Sequence, residues 1–270
     1  MSLETQIAAL VTAANNLTTA VNGKVSEIDQ KVNAATDAVP ATIRAMASQT
    51  FYIDAINGND GNSGTTPQAA LKTANAASSK VVSGSNVALL FKSGQTHEVA
   101  FLLRIGRLSL QTYDAADITV KSQRATLKPA YSGVDAYGRR AFGGVTVTAG
   151  QIYLTGVNID CTYDSVALPG GLAPQTGSFI AYTNSQLFVM AYLCDIKMTN
   201  IAFAATYSGY SARDLFFHGC VVELAASSTA DALLLRALGG SPTYRLDVHS
   251  STLTNIPGGW ASILPPKLNS

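Results

Sequence analysis

Apolar residues recur at steps of three and four along the first part of the chain. The series is Leu3, Ile7, Leu10, Ala14, Leu17, Val21, Val25, Ile28, Val32, Ala35 and Val39. Asn, Thr, Gln, Glu, Asp and Lys occupy most of the other positions, so the apolar stripe is narrow. This spacing predicts a long helix whose seam packs against other helices in a coiled coil.

Three features refine this prediction. Two successive steps of four at Leu17, Val21 and Val25 form a stutter, which favours a straighter bundle. Gly23 is expected to interrupt the helix, and Pro40 is expected to kink or restart it. Mixed Leu, Ile and Val along the seam favour three strands over two. The residues predicted to hold the oligomer are Ile7, Leu10, Leu17, Val21, Val25, Ile28 and Val32. The alternative is an amphipathic helix lying on its own domain.

Farther along the chain the apolar period changes from about 3.6 residues to 2, which indicates strands. Segments with a common pattern recur about every 28 to 35 residues. In each segment apolar residues occupy every second position, the alternation is interrupted for two residues, and then it resumes. The segments are Ile118 to Leu127, Ile152 to Cys161, Leu187 to Ile196, Leu215 to Leu224 and Leu246 to Asn255, with small residues in the interruption at Ser122, Gly156, Ala191, Gly219 and Ser250. The pattern predicts stacked coils that bend sharply between two parallel sheets. Because the repeat is irregular, a β-sandwich is the competing fold.

Alternation also assigns the side chains to the two faces of each strand. The predicted inward residues are Ile152, Leu154, Val157, Ile159 and Cys161, then Leu187, Val189, Tyr192, Cys194 and Ile196, then Leu215, Phe217, Cys220, Val222 and Leu224. All three cysteines fall on the inward face and lack metal-site spacing, which predicts reduced, buried thiols.

The stretch FYIDAINGNDGNSGTTPQAALKTANAA, residues 51–77, resembles the first segment of right-handed parallel β-helix proteins, especially tailspikes and tail fibres of tailed bacteriophages. The matching residues are Asp54, Asn57, Gly58, Asp60, Gly64, Pro67, Ala70, Lys72 and Thr73. The resemblance implies a strand, a turn-rich loop and a helix that caps the open end of the β-helix. Physical reasoning assigns the same role, because the first coil has an unpaired edge that Leu71, Ala74, Ala77 and Val81 would cover. A calcium site built from the Asp and Asn oxygens of the loop is the alternative.

Two sets of side chains are predicted to point outward in columns. Tyr153, Phe188 and Phe216 form an aromatic column on the first strand of each coil. We expect subunits to pack through these rings, and a platform for sugar rings is the alternative.

Asp160, Asp195 and Glu223 form the second predicted column. Paired carboxylates suit glycoside hydrolysis, but no Arg or Lys aligns with these acids, and solvated surface acids are the simpler interpretation. His218 and His249 also align, at the turn, where we interpret them as surface residues.

Composition restricts the partners. Charged residues make up 13% of the chain and the formal net charge is +1, so nothing indicates binding to nucleic acid or insertion into a membrane. The amino terminus lacks the pattern of a signal peptide, and no motif for a cofactor or a metal is present.

Together these patterns predict a mainly β protein with residues 1–48 as a coiled-coil segment, 49–84 as the opening loop and capping helix, and 85–270 as a parallel β-helix. The resemblance implies that residues 1–48 are the virion-attachment segment. The resemblance implies a homotrimeric virion appendage, a tail fibre, tailspike or head fibre, that binds other virion proteins through its amino terminus and host surface polysaccharide through the β-helix. It would be assembled in the host cytoplasm. A tailspike that depolymerises polysaccharide as a glycoside hydrolase is the main alternative, and a secreted lyase is a third. We favour a structural protein over an enzyme and expect no cofactor.

Overall fold

The computed structural model describes residues 2–103, 105–134, 140–143, 145–147, 150–162, 178–180, 186–207, 212–230, 232–238 and 243–264. Within these ranges the protein is mainly β, with parallel sheets and two α-helices. The chain divides into two compact units, residues 1–47 and 48–270. No helix in the described part is long and apolar enough to cross a membrane.

Helix α1 (Leu3–Ala47) accounts for the first unit and has 45 residues, which corresponds to about 67 Å. The helix continues through Gly23 and Pro40, so the interruption and restart predicted at these residues do not occur. The Leu, Ile and Val side chains of the predicted seam are 50% to 72% exposed. The apolar stripe of α1 is therefore open to solvent along its length.

The second unit contains helix α2 (Ala74–Ser78) and a series of short strands. The strands are β1 (Ser48–Ile53), β2 (Asn86–Lys92), β3 (Thr96–Val99), β4 (Phe101–Leu103), β5 (Arg107–Tyr113), β6 (Ala125–Val134), β7 (Arg140–Gly143), β8 (Val145–Val147), β9 (Gly150–Thr155), β10 (Val157–Cys161), β11 (Ser178–Ile180), β12 (Leu187–Tyr192), β13 (Asp195–Met198), β14 (Ala202–Tyr207), β15 (Ala212–His218), β16 (Val221–Leu224), β17 (Leu235–Leu238), β18 (Thr243–His249) and β19 (Thr252–Thr254). Short 3-10 helices cover Pro67–Ala69, Lys121–Gln123 and Gly259–Ile263.

Three sheets organise these strands. The first sheet has the order β1-β2-β5-β9-β12-β15-β18, the second β3-β6-β10-β13-β16-β19 and the third β4-β8-β11-β14-β17. Neighbours within each sheet are parallel, and β7 is added to β6 as an antiparallel strand. From β2 onward the chain visits the first, second and third sheets in turn, and one such passage is called a layer here. Sequence reasoning found the first two sheets and missed the third.

Each layer turns from the first sheet to the second through a residue with positive φ. These residues are Gly94 (φ 66°), Asp114 (61°), Gly156 (57°), Leu193 (52°), Gly219 (62°) and Ser250 (51°). Backbone hydrogen bonds join successive turns, for example from Gly156 N to Tyr192 O at 3.0 Å and from Leu193 N to His218 O at 3.0 Å. The left-handed conformation explains the glycines at 156 and 219, since Gly adopts it without steric cost.

Some predicted positions in the turns are wrong. Ser122 lies in a 3-10 helix, and the predicted segment from Ile118 to Leu127 is mostly loop, because the preceding strand is β5. Ala191 is fully buried in β12, while Leu193 occupies the turn. For the same reason Tyr192, predicted to point inward, is 40% exposed. Most of the other predicted inward residues are buried; Leu224 is only partly buried but packs against the core.

The capping segment, residues 49–84, covers the first layer. Leu71 bridges to Ile53 in β1, and Leu71, Ala74 and Ala77 are fully buried, as predicted for the covering face. Val81 is partly buried against the same core. Thr73 caps α2 by accepting a hydrogen bond from Ala76 N at 3.1 Å.

Two carboxylates organise the loop of the capping segment. Asp60 Oδ1 accepts hydrogen bonds from Lys72 N at 2.9 Å and Thr73 N at 2.8 Å. Asp54 Oδ1 accepts from Asn57 N at 2.9 Å and from Gln95 Nε2 at 2.9 Å. Burial opposes ionisation of Asp54, but these hydrogen bonds outweigh it and hold the pKa of Asp54 below its ordinary value.

His97 is a buried titratable residue in the layer that follows. It is 2% exposed, and its ring packs against Phe91 with centroids 5.1 Å apart. Nε2 lies 3.2 Å from Lys92 O, whereas Nδ1 has no hydrogen-bond partner among the described residues. Burial lowers the pKa of His97, because the charged ring would lose its hydration.

Candidate binding face on the first sheet

The predicted aromatic residues lie together on the outward face of the first sheet. Tyr153, Phe188 and Phe216 alternate with buried residues in β9, β12 and β15, and each is half-buried. The Tyr153 and Phe188 ring centroids are 5.9 Å apart, and those of Phe188 and Phe216 are 4.9 Å apart. The three rings form one continuous apolar surface.

The sequence predicted a single column of rings, but the three rings are not in one column. Met190 pairs with Tyr153 on one side and with Phe216 on the other, while Phe188 lies opposite Gln151 and Asp214. Phe188 therefore contacts the other rings diagonally, two residues before Met190. Met190 is 36% exposed and completes the apolar surface. Sequence reasoning missed it because the strands were aligned with an offset of two residues.

Two arginines lie over the ends of this surface. The Arg107 guanidinium carbon is 4.0 Å from the Tyr153 ring centroid, and that of Arg245 is 5.3 Å from the Phe216 centroid. Stacked guanidinium groups stabilise such rings by cation–π attraction. The Arg245 side chain also forms an ion pair with Asp247 at 3.5 Å. We call the surface made by Tyr153, Phe188, Met190, Phe216 and these arginines the ring face.

A second outward column adjoins the ring face. Tyr192, His218 and His249 pair in register, and their rings follow one another at centroid distances of 5.4 and 4.9 Å. The predicted alignment of the two histidines is present, and both are exposed. With Met190 and Phe216 the histidines line a shallow cavity of about 300 Å³.

The predicted column of acids is not present. Asp160 pairs with Lys197, and Lys197 pairs with Glu223, so a cation lies between these two acids. Asp195 pairs instead with Asn158 and belongs to a different column. The prediction that no basic residue aligns with the acids is therefore also wrong.

Asp195 forms ion pairs with two basic residues of a neighbouring loop. It is 8% exposed, and its Oδ2 lies 3.3 Å from Lys121 Nζ and 3.5 Å from Arg124 Nη1. Arg124 is itself 6% exposed and donates to Ile118 O at 2.6 Å and Thr119 O at 3.0 Å. The carboxylate of Asp195 thus fixes the loop that covers the second sheet.

The described residues contain no group of three or more His, Cys, Asp or Glu side chains arranged to hold a metal ion. In the loop proposed for calcium, the Asp54 and Asp60 oxygens accept hydrogen bonds from the protein. The loop acids therefore have a structural role that needs no ion.

A polar cavity of about 510 Å³ lies beside the capping segment. It is lined by Asp54, Pro67, Gln68, Lys92, Tyr113 and Asp114. Lys92 forms an ion pair with Asp114 and lies 5.5 Å from the centroid of the Tyr113 ring. Burial, with smaller effects from Asp54 and Asp114, raises the pKa of Tyr113 to about 12. Its hydroxyl therefore stays protonated and able to donate at neutral pH. Sequence reasoning gave no indication of this cavity.

Comparison with protein-family models, with curated proteins and with solved structures gave no match. The function must therefore be inferred from the residues and their geometry.

Proposed function

We propose that this chain is one subunit of a homotrimeric bacteriophage virion appendage, a tail fibre, tailspike or head fibre. In this proposal a right-handed parallel β-helix follows an amino-terminal coiled coil. The regular order in which the chain visits the three sheets supports the β-helix. The capping segment supports the family resemblance, since Asp54, Asp60 and Thr73 organise the loop and helix that the resemblance implied.

The observation that carries the proposal is the exposed seam of α1. Helix α1 has 45 residues, and the Leu, Ile and Val residues of its apolar stripe are at least half exposed. Such a stripe is unfavourable in water unless other helices cover it. Burying a Leu, Ile or Val side chain contributes roughly 1.5 to 3 kcal/mol. Several such residues per subunit are enough to hold a bundle, and their mixture favours three helices.

The ring face supports association of the β unit. It combines three aromatic residues with Met190 and the arginines 107 and 245. Aromatic residues, Met and Arg are the types enriched in the centres of protein–protein interfaces. We assign this face to contact between subunits, and sugar binding at the rings is the result that would displace this assignment.

Light scattering of the full chain tests the assembly, and we expect the mass of a trimer. The double variant Leu10→Ser with Leu17→Ser removes part of the seam, and Tyr153→Ser with Phe216→Ser removes part of the ring face. Each double variant should form a weaker trimer than the parent. Ile56→Ser is the control, because Ile56 is 71% exposed and belongs to neither surface. A parent that is monomeric at all concentrations would refute the assembly.

Electron microscopy of virions labelled with an antibody against the β unit tests the location. We expect label on a tail or head projection, and unlabelled particles would refute the virion assignment. The polar cavity beside Tyr113 is the place where we assign glycan contact, since Gln68, Lys92 and Asp114 offer donors and acceptors for sugar hydroxyls. Gln68→Ala should weaken binding to host surface polysaccharide without changing the oligomer.

Glycoside hydrolysis remains the competing proposal. Asp160 and Glu223 lie two strands apart, which places their backbones about 9.6 Å apart. Inverting enzymes hold their two carboxyl groups about 6.5 to 9.5 Å apart, so these side chains need to lean toward each other only slightly to reach that separation. An assay for reducing ends released from host polysaccharide decides between the two. Release that is lost in Glu223→Gln would support the enzyme, and no release supports the structural appendage.

A further inference from the structure

Two of the three cysteines are neighbours on adjacent layers. Asp195 pairs with Val221 in the second sheet, so the same register continued by one residue places Cys194 beside Cys220. The hydrogen bond from Val221 N to Cys194 O at 2.9 Å holds the two turns together. Parallel strands are about 4.8 Å apart, which falls within the range of Cα separations that disulfides span.

The two sulfur atoms share one buried environment. Cys194 is 0% exposed and Cys220 is 1% exposed. The Cys194 thiol donates a hydrogen bond to Tyr192 O at 3.3 Å. The Cys220 thiol also lies 3.3 Å from Ala191 O, a carbonyl of the layer that carries Cys194. The side chains thus face each other across the boundary between layers.

The environment also distinguishes the two thiols chemically. The neighbouring Cys194 thiol lowers the pKa of Cys220, although burial opposes this shift. Burial raises the pKa of Cys194. A thiolate is the species that attacks a disulfide, so Cys220 is the better first nucleophile of the pair.

Cys161 has no such neighbour. It pairs with Met198, and Met198 pairs with Leu224 in the following layer. Burial raises the pKa of Cys161. It therefore provides an internal control of the same residue type that is equally buried.

We propose that Cys194 and Cys220 form a disulfide that joins adjacent layers when the protein is exposed to a low-molecular-weight disulfide such as oxidised glutathione. The Cys220 thiolate attacks one sulfur of the small disulfide and releases one small thiolate. The Cys194 thiolate then attacks Cys220 Sγ of the mixed disulfide and releases the second. The protein loses two electrons and two protons, and the small disulfide is reduced to two thiols. This inference does not depend on the proposed function.

The test compares the full chain made in bacteria with a reducing cytoplasm and in bacteria with an oxidising one. Each preparation is denatured, alkylated and digested before mass spectrometry. The structure has three free cysteines, and we expect three alkylated cysteines from the reducing host. From the oxidising host we expect only Cys161 to be alkylated, with one peptide pair linked through Cys194 and Cys220. We expect the linkage to form once Cys194 and Cys220 are adjacent but before the stack closes over them, so burial in the final structure does not limit access.

Three variants made in the oxidising host complete the test. Cys161→Ala should keep the linked peptide pair, while Cys194→Ala and Cys220→Ala should each lose it. Reduction of the linked parent should lower its melting temperature by about 5 to 10 °C, because the linkage constrains the unfolded chain. Three free thiols in the parent from both hosts, or a linkage that includes Cys161, would overturn the proposal.

Discussion

Gly58 lies where the loop of the capping segment packs against the backbone of Asp54 and Leu71 in the same segment. A Cβ atom at this position would overlap the carbonyl oxygens of Leu71 and Asp54 and would lie 2.6 Å from Leu71 C. Because these are backbone atoms, no side chain can rotate to make room. Gly58→Ala therefore requires the chain around Leu71 to move.

That movement disturbs hydrogen bonds as well as packing. Leu71 O accepts from Asp54 N at 2.8 Å, and Leu71 N donates to Tyr52 O at 2.9 Å. Overpacking costs about 1 to 3 kcal/mol, and one or two weakened hydrogen bonds add about 0.5 to 1.5 kcal/mol each. We expect Gly58→Ala to lower the free energy of unfolding by about 2 to 5 kcal/mol, equivalent to about 5 to 15 °C in melting temperature.

Thermal melting of the full chain, followed by circular dichroism in the β-sheet region, measures this loss. Gly61→Ala is the matched control, because it lies in the same loop and its Cβ would meet only the flexible Asn59 side chain, at 3.2 Å. We expect the control to melt within about 2 °C of the parent. If Gly58→Ala also melts there, the close approach of Gly58 to the Leu71 backbone is wrong.

Three further predictions concern other parts of the second unit. Folding lowers the pKa of His97, so the unfolded chain binds the proton of this residue more readily than the folded chain. Stability should therefore fall as the pH drops below about 6.5. His97→Gln should flatten this loss in thermal melts from about pH 7.5 to about pH 5.5. Gly156→Val should cost more than about 1 kcal/mol in urea unfolding, since φ is 57° and the new Cβ would lie 3.0 Å from Ile118 Cβ; an unchanged midpoint would contradict the turn geometry. Asp195→Ala should lower stability by about 1 to 3 kcal/mol, because Arg124 loses its buried counter-charge. Asp160→Ala should leave the unfolding midpoint nearly unchanged, and equal effects of the two substitutions would argue against this role of Asp195.

The alternation of residues was sufficient to predict the faces of β9, β10, β15 and β16. In these strands a glycine, Gly156 or Gly219, marks the turn, so the count of inward and outward positions restarts at the correct residue. In the intervening layer Leu193 has the left-handed conformation. Nothing in a leucine indicates positive φ. The predicted face is therefore wrong at Tyr192, and Asp195 was aligned with Asp160 instead of Asn158.

The third sheet could not be predicted for a different reason. Its strands are short, and Ala202, Ala204 and Ala205 lie in a strand without alternating polar residues. A strand buried on both faces has no period of two to detect. The ring face was found in part, since Tyr153, Phe188 and Phe216 are large and regularly placed. The Arg107 and Arg245 contacts depend on pairing between layers, which one strand does not reveal.

The last layer described has strands in only two of the three sheets, β18 and β19. Its second-sheet pairing with β16 extends over three residues, from Val221 with Thr252 to Glu223 with Thr254. In a stack where each layer contacts only its neighbours, this layer is paired with described strands on one side alone, and such a layer opens first. Amide hydrogens of this layer should therefore exchange with solvent sooner than those of β9 or β12. Unfolding then has a direction, from the carboxyl-terminal layer toward the layer that the capping segment protects.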